Sequence, residues 1–106
     1  MPRWLSTVLL RIAELATQRK VHFTLKALRE LDSLGLELDV DDVIQLLENL
    51  TSSDSEGRIM SKQTGEWMYV FKPCIIETVV YLKLIVRNNC IVISCHKDEE
   101  GENEEK

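Results

Sequence analysis

Cysteine is scarce in this sequence, and its thiols are not arranged for metal binding. The three cysteines, Cys74, Cys90 and Cys95, are odd in number, and no two of them have the Cys-x-x-Cys spacing. Such a set predicts neither a disulfide framework nor a zinc site. We therefore expect no metal and no cofactor. We expect the thiols to be buried and structural, with a nucleophilic thiol as the less favoured alternative.

Long apolar runs are also missing. No segment approaches the roughly 18 uncharged apolar residues of a transmembrane helix. The N-terminal segment MPRWLSTVLLRIAELA is apolar in part, but Arg11 and Glu14 interrupt it and continue a helical pattern. This pattern predicts an amphipathic helix rather than a signal peptide, in a cytoplasmic protein that makes no membrane contact.

The sequence lacks the short motifs of several large enzyme classes. It has no glycine-rich phosphate loop, no nucleophile elbow and no His-Glu-x-x-His helix. Those motifs hold phosphates, serine nucleophiles and catalytic zinc, respectively. The sequence therefore predicts none of these three kinds of site, and a catalytic site is expected to consist of ordinary polar side chains that the fold brings together.

The order of the hydrophobic patterns predicts an α+β fold. In the first half apolar residues recur at helical spacing, with Thr24 and Asp39 suited to cap two helices and Leu25, Leu28 and Leu31 expected to be buried. In the second half the period changes to two, as in strands. The predicted helices cover 3–19, 24–33 and a stretch from 39, and the predicted strands lie near 58–62, 66–72, 78–87 and 90–97. We expect the N-terminal helices to pack on one face of a small, mainly antiparallel sheet.

Alternation within the predicted strands assigns side chains to two faces. Tyr81 and Lys83 fall on the side away from the helices, and His96 of the last strand joins them. The residues expected to point toward the helices include Ile91, Ile93 and Cys95 of the last strand and Trp67, Tyr69 and Phe71 of the second. Asn88 and Asn89 are expected to form a two-residue hairpin turn, because asparagine tolerates positive φ.

The formal net charge of −5 hides a basic half. The segment 98–106 has six acidic residues and one lysine, and it is predicted to be a disordered tail beyond a single domain at 1–97. The segment 57–97 has six cations against only Glu66 and Glu77. Local charge of this kind attracts a phosphate backbone even where the total is acidic. The six cations are Arg58, Lys62, Lys72, Lys83, Arg87 and Lys97.

The face with Tyr81, Lys83 and His96 has groups that can cleave RNA without a metal. In that reaction the 2′-hydroxyl attacks the adjacent phosphorus, which requires a base, an acid and nearby cations. Histidine suits either proton role, lysine stabilises the developing charge, and tyrosine stacks on a base or transfers a proton. Each also has a simpler interpretation, as a solvated histidine, a packed tyrosine and a lysine that keeps the sheet soluble.

The segments GEWMYVFKP, VVYLKLIV and IVISCHKDEE, preceded by LDSLGLELDVDDVIQLLENL, resemble the MqsR toxins. These toxins belong to the wider RelE-like class of bacterial mRNA interferases, and the resemblance covers roughly residues 20 to 99. It implies a RelE-like helix-plus-sheet fold and metal-independent endoribonuclease activity on mRNA. It also implies neutralisation by a cognate antitoxin.

The resemblance carries over to particular residues. Tyr81 and Lys83 lie in the family's Tyr-[Val/Leu]-Lys strand, whose tyrosine is an active-site residue. His96 stands where the family has a functional lysine at the end of the last strand, and Lys97 comes one residue later. Met68 stands where the family often has glutamine, and a thioether cannot read a base edge by hydrogen bonding. The resemblance thus implies catalytic roles for His96, Tyr81 and Lys83, without a particular target sequence.

The other cations of the basic half are predicted to contact phosphates. Arg58 lies near a basic position that the family has before its first hairpin. The predicted RNA-binding residues are Arg58, Lys62, Lys72, Arg87 and Lys97. The alternative to a toxin endoribonuclease is a non-catalytic protein of the same fold that holds RNA or a partner protein on this surface.

Overall fold

A computed structural model describes residues 1–98 of the chain. The helices are α1 (Arg3–Thr17), α2 (Leu25–Ser33) and α3 (Val40–Glu48), followed by a short 3-10 helix at Ser52–Asp54. The strands are β1 (Val21–Phe23), β2 (Ser55–Met60), β3 (Trp67–Phe71), β4 (Cys74–Ile75), β5 (Thr78–Val86) and β6 (Cys90–Lys97). Most of the predicted acidic tail, residues 99–106, lies outside the described residues. Within residues 1–98, no helix is long and apolar enough to cross a membrane.

The strands form a sheet in the order β1-β6-β5-β3-β2, and β4 pairs with β5 beside this path. Only β1 and β6 are parallel; the other pairs in the described part of the chain are antiparallel. Helix residues of α1, α2 and α3 share one core with Leu82, Leu84 and Val92 of the sheet. The predicted α+β fold with a mainly antiparallel sheet is confirmed.

Two helices begin as their sequences predict. The Thr24 hydroxyl accepts a hydrogen bond of 3.1 Å from the Ala27 N–H at the start of α2. At the start of α3, the side chain of Asp39 accepts from the Asp42 N–H, and the Asp42 carboxylate accepts from the Asp39 N–H, both at 2.9 Å. These bonds satisfy N–H groups that have no partner within the helix.

The predicted buried stripe of α2 was wrong at two positions. The exposed fractions of Leu25 and Leu28 are 62% and 39%, whereas Leu31 and Ala27 are buried. Helix α2 lies against β6, and positions 27 and 31 are one turn apart on the side that faces this strand. Periodicity alone cannot choose between two stripes that differ by one residue.

A β-bulge interrupts the pairing of β5 with β6. Lys83 pairs with Ser94, but the next residue, Leu84, pairs with Val92. Ile93 is therefore the extra residue on β6. From this point toward the start of β6, the two faces of the strand are exchanged relative to simple alternation.

The bulge overturns the predicted faces of Ile91 and Ile93. Val92 is fully buried in the core, whereas Ile91 and Ile93 are half-buried and do not pack against it. The prediction that these two isoleucines point toward the helices was wrong for this reason. Beyond the bulge, Cys95 is buried and His96 lies on the other side, as predicted.

The two-residue hairpin turn lies between β4 and β5, and not at Asn88-Asn89 as predicted. The residues with positive φ at a two-residue turn are Ile76 and Glu77, at 49° and 61°, between the paired residues Ile75 and Thr78. The turn predicted at Asn88-Asn89 has no positive φ; Val86 pairs with Cys90, and three residues form the loop. Strand β4 was missed because two residues are too few to show a period. The short β1 was missed for the same reason.

The beginning of the sheet also differs from the prediction. Strand β2 starts at Ser55, three residues before the predicted strand at 58. Its register shifts between Ser55 and Arg58, and Gly57 has a φ of 97° within this irregularity. A positive φ is accessible to glycine at little cost, so the strand continues through a segment that reads as a turn.

The thiols are not all buried. Cys90 and Cys95 lie in the core, but Cys74 is exposed on β4, so the expectation of a buried thiol was wrong there. Burial raises the pKa of Cys90 to about 12. Burial, together with the nearby charge of Glu30, raises the pKa of Cys95 to about 11. The two core thiols therefore stay protonated and pack as small apolar groups.

Candidate active site

The candidate site begins with a stacked pair of rings. Tyr81 of β5 pairs with His96 of β6 across the antiparallel ladder. Their ring centroids are 4.9 Å apart and the ring planes differ by 10°, so the rings lie face to face. The neighbouring pair, Leu82 with Cys95, lies in the core. The two rings therefore lie on the opposite side of the sheet, which we call the open face.

The imidazole of His96 is fixed by a hydrogen bond at Nδ1. This atom lies 2.8 Å from the backbone oxygen of Lys97. A carbonyl oxygen only accepts, so Nδ1 carries the proton and donates it to this bond. In the neutral ring, Nε2 then carries the lone pair, which is the form that can take a proton from a substrate.

Lys83 lies on the open face next to this pair. It is opposite Ser94, whose hydroxyl accepts a hydrogen bond of 2.9 Å from Nζ of Lys26 in α2. Among the residues that the structure describes, none forms a hydrogen bond or ion pair with the ammonium group of Lys83. This cation is therefore available to an anionic ligand.

Helix α2 closes the edge of β6 beside the site. Strand β1 pairs with β6 only as far as Val92, which leaves the later backbone groups of β6 without a strand neighbour on that side. Glu30 accepts a hydrogen bond of 3.0 Å from the Cys95 N–H, and its other oxygen lies 3.0 Å from Nζ of Lys26. The helix thus holds the end of the strand that carries His96.

The pKa of Glu30 lies below its ordinary value. Burial of the carboxyl group raises the pKa, but the hydrogen bonds from the Cys95 N–H and from Lys26, together with the charges of Lys26 and His96, outweigh it. Glu30 is therefore ionised at neutral pH, and its charge is paired with Lys26.

A cavity of about 470 Å³ adjoins His96, where α2 passes the end of β6. Its lining consists of Arg29, Glu30, Ser33, Leu34, His96 and Lys97. No residue of α2 is among the predicted site residues; this helix belongs to the segment 1–56, in which ten acidic residues stand against six basic ones. The available signal was the spacing of Lys26, Arg29, Glu30 and Ser33, which places these polar residues along one side of the helix.

A comparison with protein families bears directly on this site. The family described as "Motility quorum-sensing regulator, toxin of MqsA" matches residues 6–97. The chain belongs to the MqsR toxin family. The matched range includes the ring pair, Lys83 and the whole cavity lining, so the resemblance noted from the sequence is confirmed. No curated protein matches the sequence.

Two more predicted cations of this MqsR-family chain lie beside the ring pair. Lys97 contributes to the cavity wall. The register of β3 and β5 places Lys72 across from Tyr81, one position beyond the last paired residue of β3. Nζ of Lys72 is 3.6 Å from a carboxylate oxygen of Asp98 and 3.9 Å from one of Glu56. Lys72 thus brings positive charge to this end of the open face, but acidic neighbours already offset much of it.

Arg58 lies on the other side of the sheet. It pairs with Tyr69, which pairs with the core residue Leu84, so its side chain belongs to the helix-covered face. Its guanidinium carbon lies 4.6 Å from the ring centroid of Trp4 in α1 and 4.0 Å from that of Trp67. The charge of Arg58 is therefore in contact with two indole rings, away from the open face.

Arg87 and Lys62 lie at the opposite end of the sheet. Nε and Nη2 of Arg87 donate hydrogen bonds of 2.7 and 2.5 Å to the two carboxylate oxygens of Glu66. Arg87 is six residues beyond Tyr81, which at about 3.3 Å per residue is about 20 Å along the strand. Lys62 is exposed in the turn between β2 and β3. The predicted site residues that lie together are Tyr81, Lys83, His96, Lys97 and Lys72; Arg58, Lys62 and Arg87 lie elsewhere.

Proposed function

We propose that this chain is the toxin of a toxin–antitoxin pair and acts as an endoribonuclease that cleaves mRNA without a metal. The observation that carries the proposal is the Tyr81–His96 pair on the open face. Its imidazole is held at Nδ1 and leaves Nε2 for proton exchange. The nearby Lys83 has no anionic partner within residues 1–98. Membership of a toxin family supports the same assignment.

In the proposed reaction, Nε2 of His96 takes the proton of the RNA 2′-hydroxyl. The 2′-oxygen forms a bond to the adjacent phosphorus, and the bond from phosphorus to the 5′-oxygen breaks. A proton passes to the leaving 5′-oxygen, for which the Tyr81 hydroxyl is the candidate donor. The products are a 2′,3′-cyclic phosphate and a 5′-hydroxyl. Lys83 stabilises the charge that develops on the phosphoryl oxygens.

The direct test is incubation of the purified chain with a defined RNA in EDTA, followed by mapping of the new ends. We expect cleavage to proceed in EDTA and to yield a cyclic phosphate and a 5′-hydroxyl. A 5′-phosphate product, or an absolute requirement for Mg²⁺, would contradict the mechanism.

The biological part of the proposal has its own test. Expression of the chain alone should arrest bacterial growth, and co-expression of the small protein encoded beside it should restore growth. The family description names a partner protein of this kind, MqsA, for the family's toxins. If His96→Ala no longer cleaves RNA but still arrests growth as the wild type does, toxicity does not depend on RNA cleavage.

A second candidate function is binding of RNA or a partner protein without cleavage. Two departures from the family pattern favour it, namely His96 in place of a lysine and Met68 in place of a glutamine. Under this alternative, RNA binds to the open face with a steep dependence on salt but remains intact under every condition of the cleavage test.

A further inference from the structure

Arg29 is a cation that the proposed reaction does not use. It is exposed on α2, and within residues 1–98 its guanidinium makes no hydrogen bond or ion pair. Lys26, one turn earlier on the same helix, is bound to Glu30 and Ser94. Of the two α2 cations beside β6, only Arg29 thus remains available to a ligand.

The cavity that Arg29 lines has the charge of an anion site. Arg29 and Lys97 contribute positive charge to its wall, and the single carboxylate there, Glu30, already binds Lys26 and the Cys95 N–H. Ser33 adds a hydroxyl that can donate. The volume of about 470 Å³ is in the range of small-ligand pockets, about 300–1,000 Å³.

The position of the cavity identifies the anion. His96 forms part of its wall and also stacks on Tyr81 at the proposed cleavage site. An RNA strand whose scissile phosphate lies at this pair must continue past His96, and the cavity is the concave surface that begins there. A guanidinium binds a phosphate through two parallel N–H groups, which suits the phosphodiester of the next nucleotide.

We infer that the cavity between α2 and the end of β6 is a nucleotide subsite, in which Arg29 binds the phosphate next to the scissile one. The location of this phosphate relative to the cleaved bond rests on the proposed function. The contact of Arg29 with an RNA phosphate does not, because a non-cleaving RNA-binding protein would use the same surface.

The first experiment measures binding to a single-stranded oligonucleotide with 2′-O-methyl groups, which cannot be cleaved by 2′-oxygen attack. For Arg29→Ala we expect roughly tenfold weaker binding, and a slope of log affinity against log salt smaller by about 0.7 than for the wild type. Arg29→Gln should behave similarly, while Arg29→Lys should keep the slope and bind less tightly, because lysine is a point charge.

Lys20→Ala is the matched control. It also removes one exposed positive charge, but the Lys20 carbonyl accepts from the Cys90 N–H, at the opposite end of β6 from His96. We expect its affinity and its salt slope to match those of the wild type. Equal effects of Arg29→Ala and Lys20→Ala would overturn the subsite, as would unchanged binding in both Arg29→Ala and Arg29→Gln.

The second experiment places the phosphate relative to the cleavage. A defined RNA receives a neutral methylphosphonate on one side or the other of its mapped cleavage position. On one side, the neutral group should raise the KM of the wild type by about the same factor as Arg29→Ala does with unmodified RNA. It should raise the KM of Arg29→Ala only a little further. Additive effects on both sides would overturn the adjacent location. Arg29-dependent binding without any cleavage would refute the nuclease and leave the phosphate contact in place.

Discussion

Two clusters of aromatic rings and cations lie on opposite sides of one sheet. On the helix-covered side, the guanidinium of Arg58 contacts the indoles of Trp4 and Trp67. On the open face, the imidazole of His96 lies against the phenol ring of Tyr81. Both clusters combine aromatic rings with a cation, since Lys83 lies next to the ring pair on the open face, and the sequence places Arg58 and Lys83 alike in one basic half.

The clusters differ in what their contacts leave available. Trp4 belongs to α1, so the contacts of Arg58 join a helix to the β2–β3 hairpin and engage the guanidinium with two indole rings. The contacts of His96 use one ring face and Nδ1, and they leave Nε2 for a ligand. A basic side chain is a candidate for chemistry only where the contacts of the fold leave one of its polar atoms available to a ligand.

Replacement of His96 tests the open-face cluster most directly. For His96→Ala we expect the rate of RNA cleavage to fall by roughly 10²–10⁴-fold, which is the usual contribution of a general acid or base. The ring is half-buried and outside the core, so thermal unfolding should change little. The measurement is single-turnover cleavage together with the melting temperature of the same preparation.

The companion variant is Lys97→Ala, because the resemblance places His96 where the family has a lysine, with Lys97 one residue later. The backbone of Lys97 still holds Nδ1 of the imidazole in this variant. We therefore expect a much smaller loss than for His96→Ala. If Lys97→Ala abolished cleavage while folded His96→Ala did not, the two residues would exchange their proposed roles.

The pair Lys83→Ala and Arg58→Ala tests the two sides of the sheet against each other. Lys83→Ala should weaken RNA cleavage or binding and leave the free energy of unfolding nearly unchanged. Arg58→Ala should do the reverse: two cation–π contacts at about 0.5–1 kcal/mol each predict a stability loss of about 1–2 kcal/mol. Urea unfolding and RNA binding are measured on both variants. A large loss of RNA binding in stable Arg58→Ala would show that RNA also contacts the helix-covered side.

The sequence predicts the parts of the fold in which a local pattern decides the outcome. The caps at Thr24 and Asp39 and the ring pair on the open face follow from residue type and alternation. The bulge at Ile93 does not, because a bulge is selected by pairing with a neighbouring strand. The turn at Ile76 and Glu77 is also unpredictable locally, since neither residue favours positive φ.

The part of the site that lies on two adjacent strands could be predicted from the sequence. Tyr81 and His96 meet because two adjacent strands pair, and a hairpin is a local structure. Arg29 and Glu30 reach the site from a helix more than 60 residues earlier, as the separation of 65 between Glu30 and Cys95 shows. Charge totals by segment placed α2 in an acidic half, and so concealed its contribution to the site.

Acid unfolding tests the link that holds the open-face cluster at the edge of β6. The folded state lowers the pKa of Glu30 below its ordinary 4.5, so its stabilising effect is complete above this value and is lost as the pH falls through the lowered pKa. Wild type should therefore exceed Glu30→Gln in stability near neutral pH, and the difference should shrink in acid. The measurement is the free energy of unfolding by urea between about pH 3 and 7. A difference independent of pH would remove the charge of Glu30 from this link.

The smallest effect is expected at the far end of the sheet, for Arg87→Ala. Each partner shifts the other: the hydrogen bond and charge of Glu66 raise the pKa of Arg87, and the bond from Arg87 lowers the pKa of Glu66. This guanidinium is already bound by a carboxylate and lies about 20 Å along β5 from Tyr81. We therefore expect RNA affinity and its salt slope to stay close to wild type.

Glu66→Gln is the control that tests whether RNA reaches Arg87 at all. It releases the charge of Arg87 while retaining the arginine, so an RNA that reaches this end would bind more tightly and with a steeper salt slope. An RNA confined to the open face near His96 would bind both variants as it binds the wild type. A slope smaller by about 0.7 in Arg87→Ala would show instead that RNA breaks the pair with Glu66 and extends along the whole length of β5.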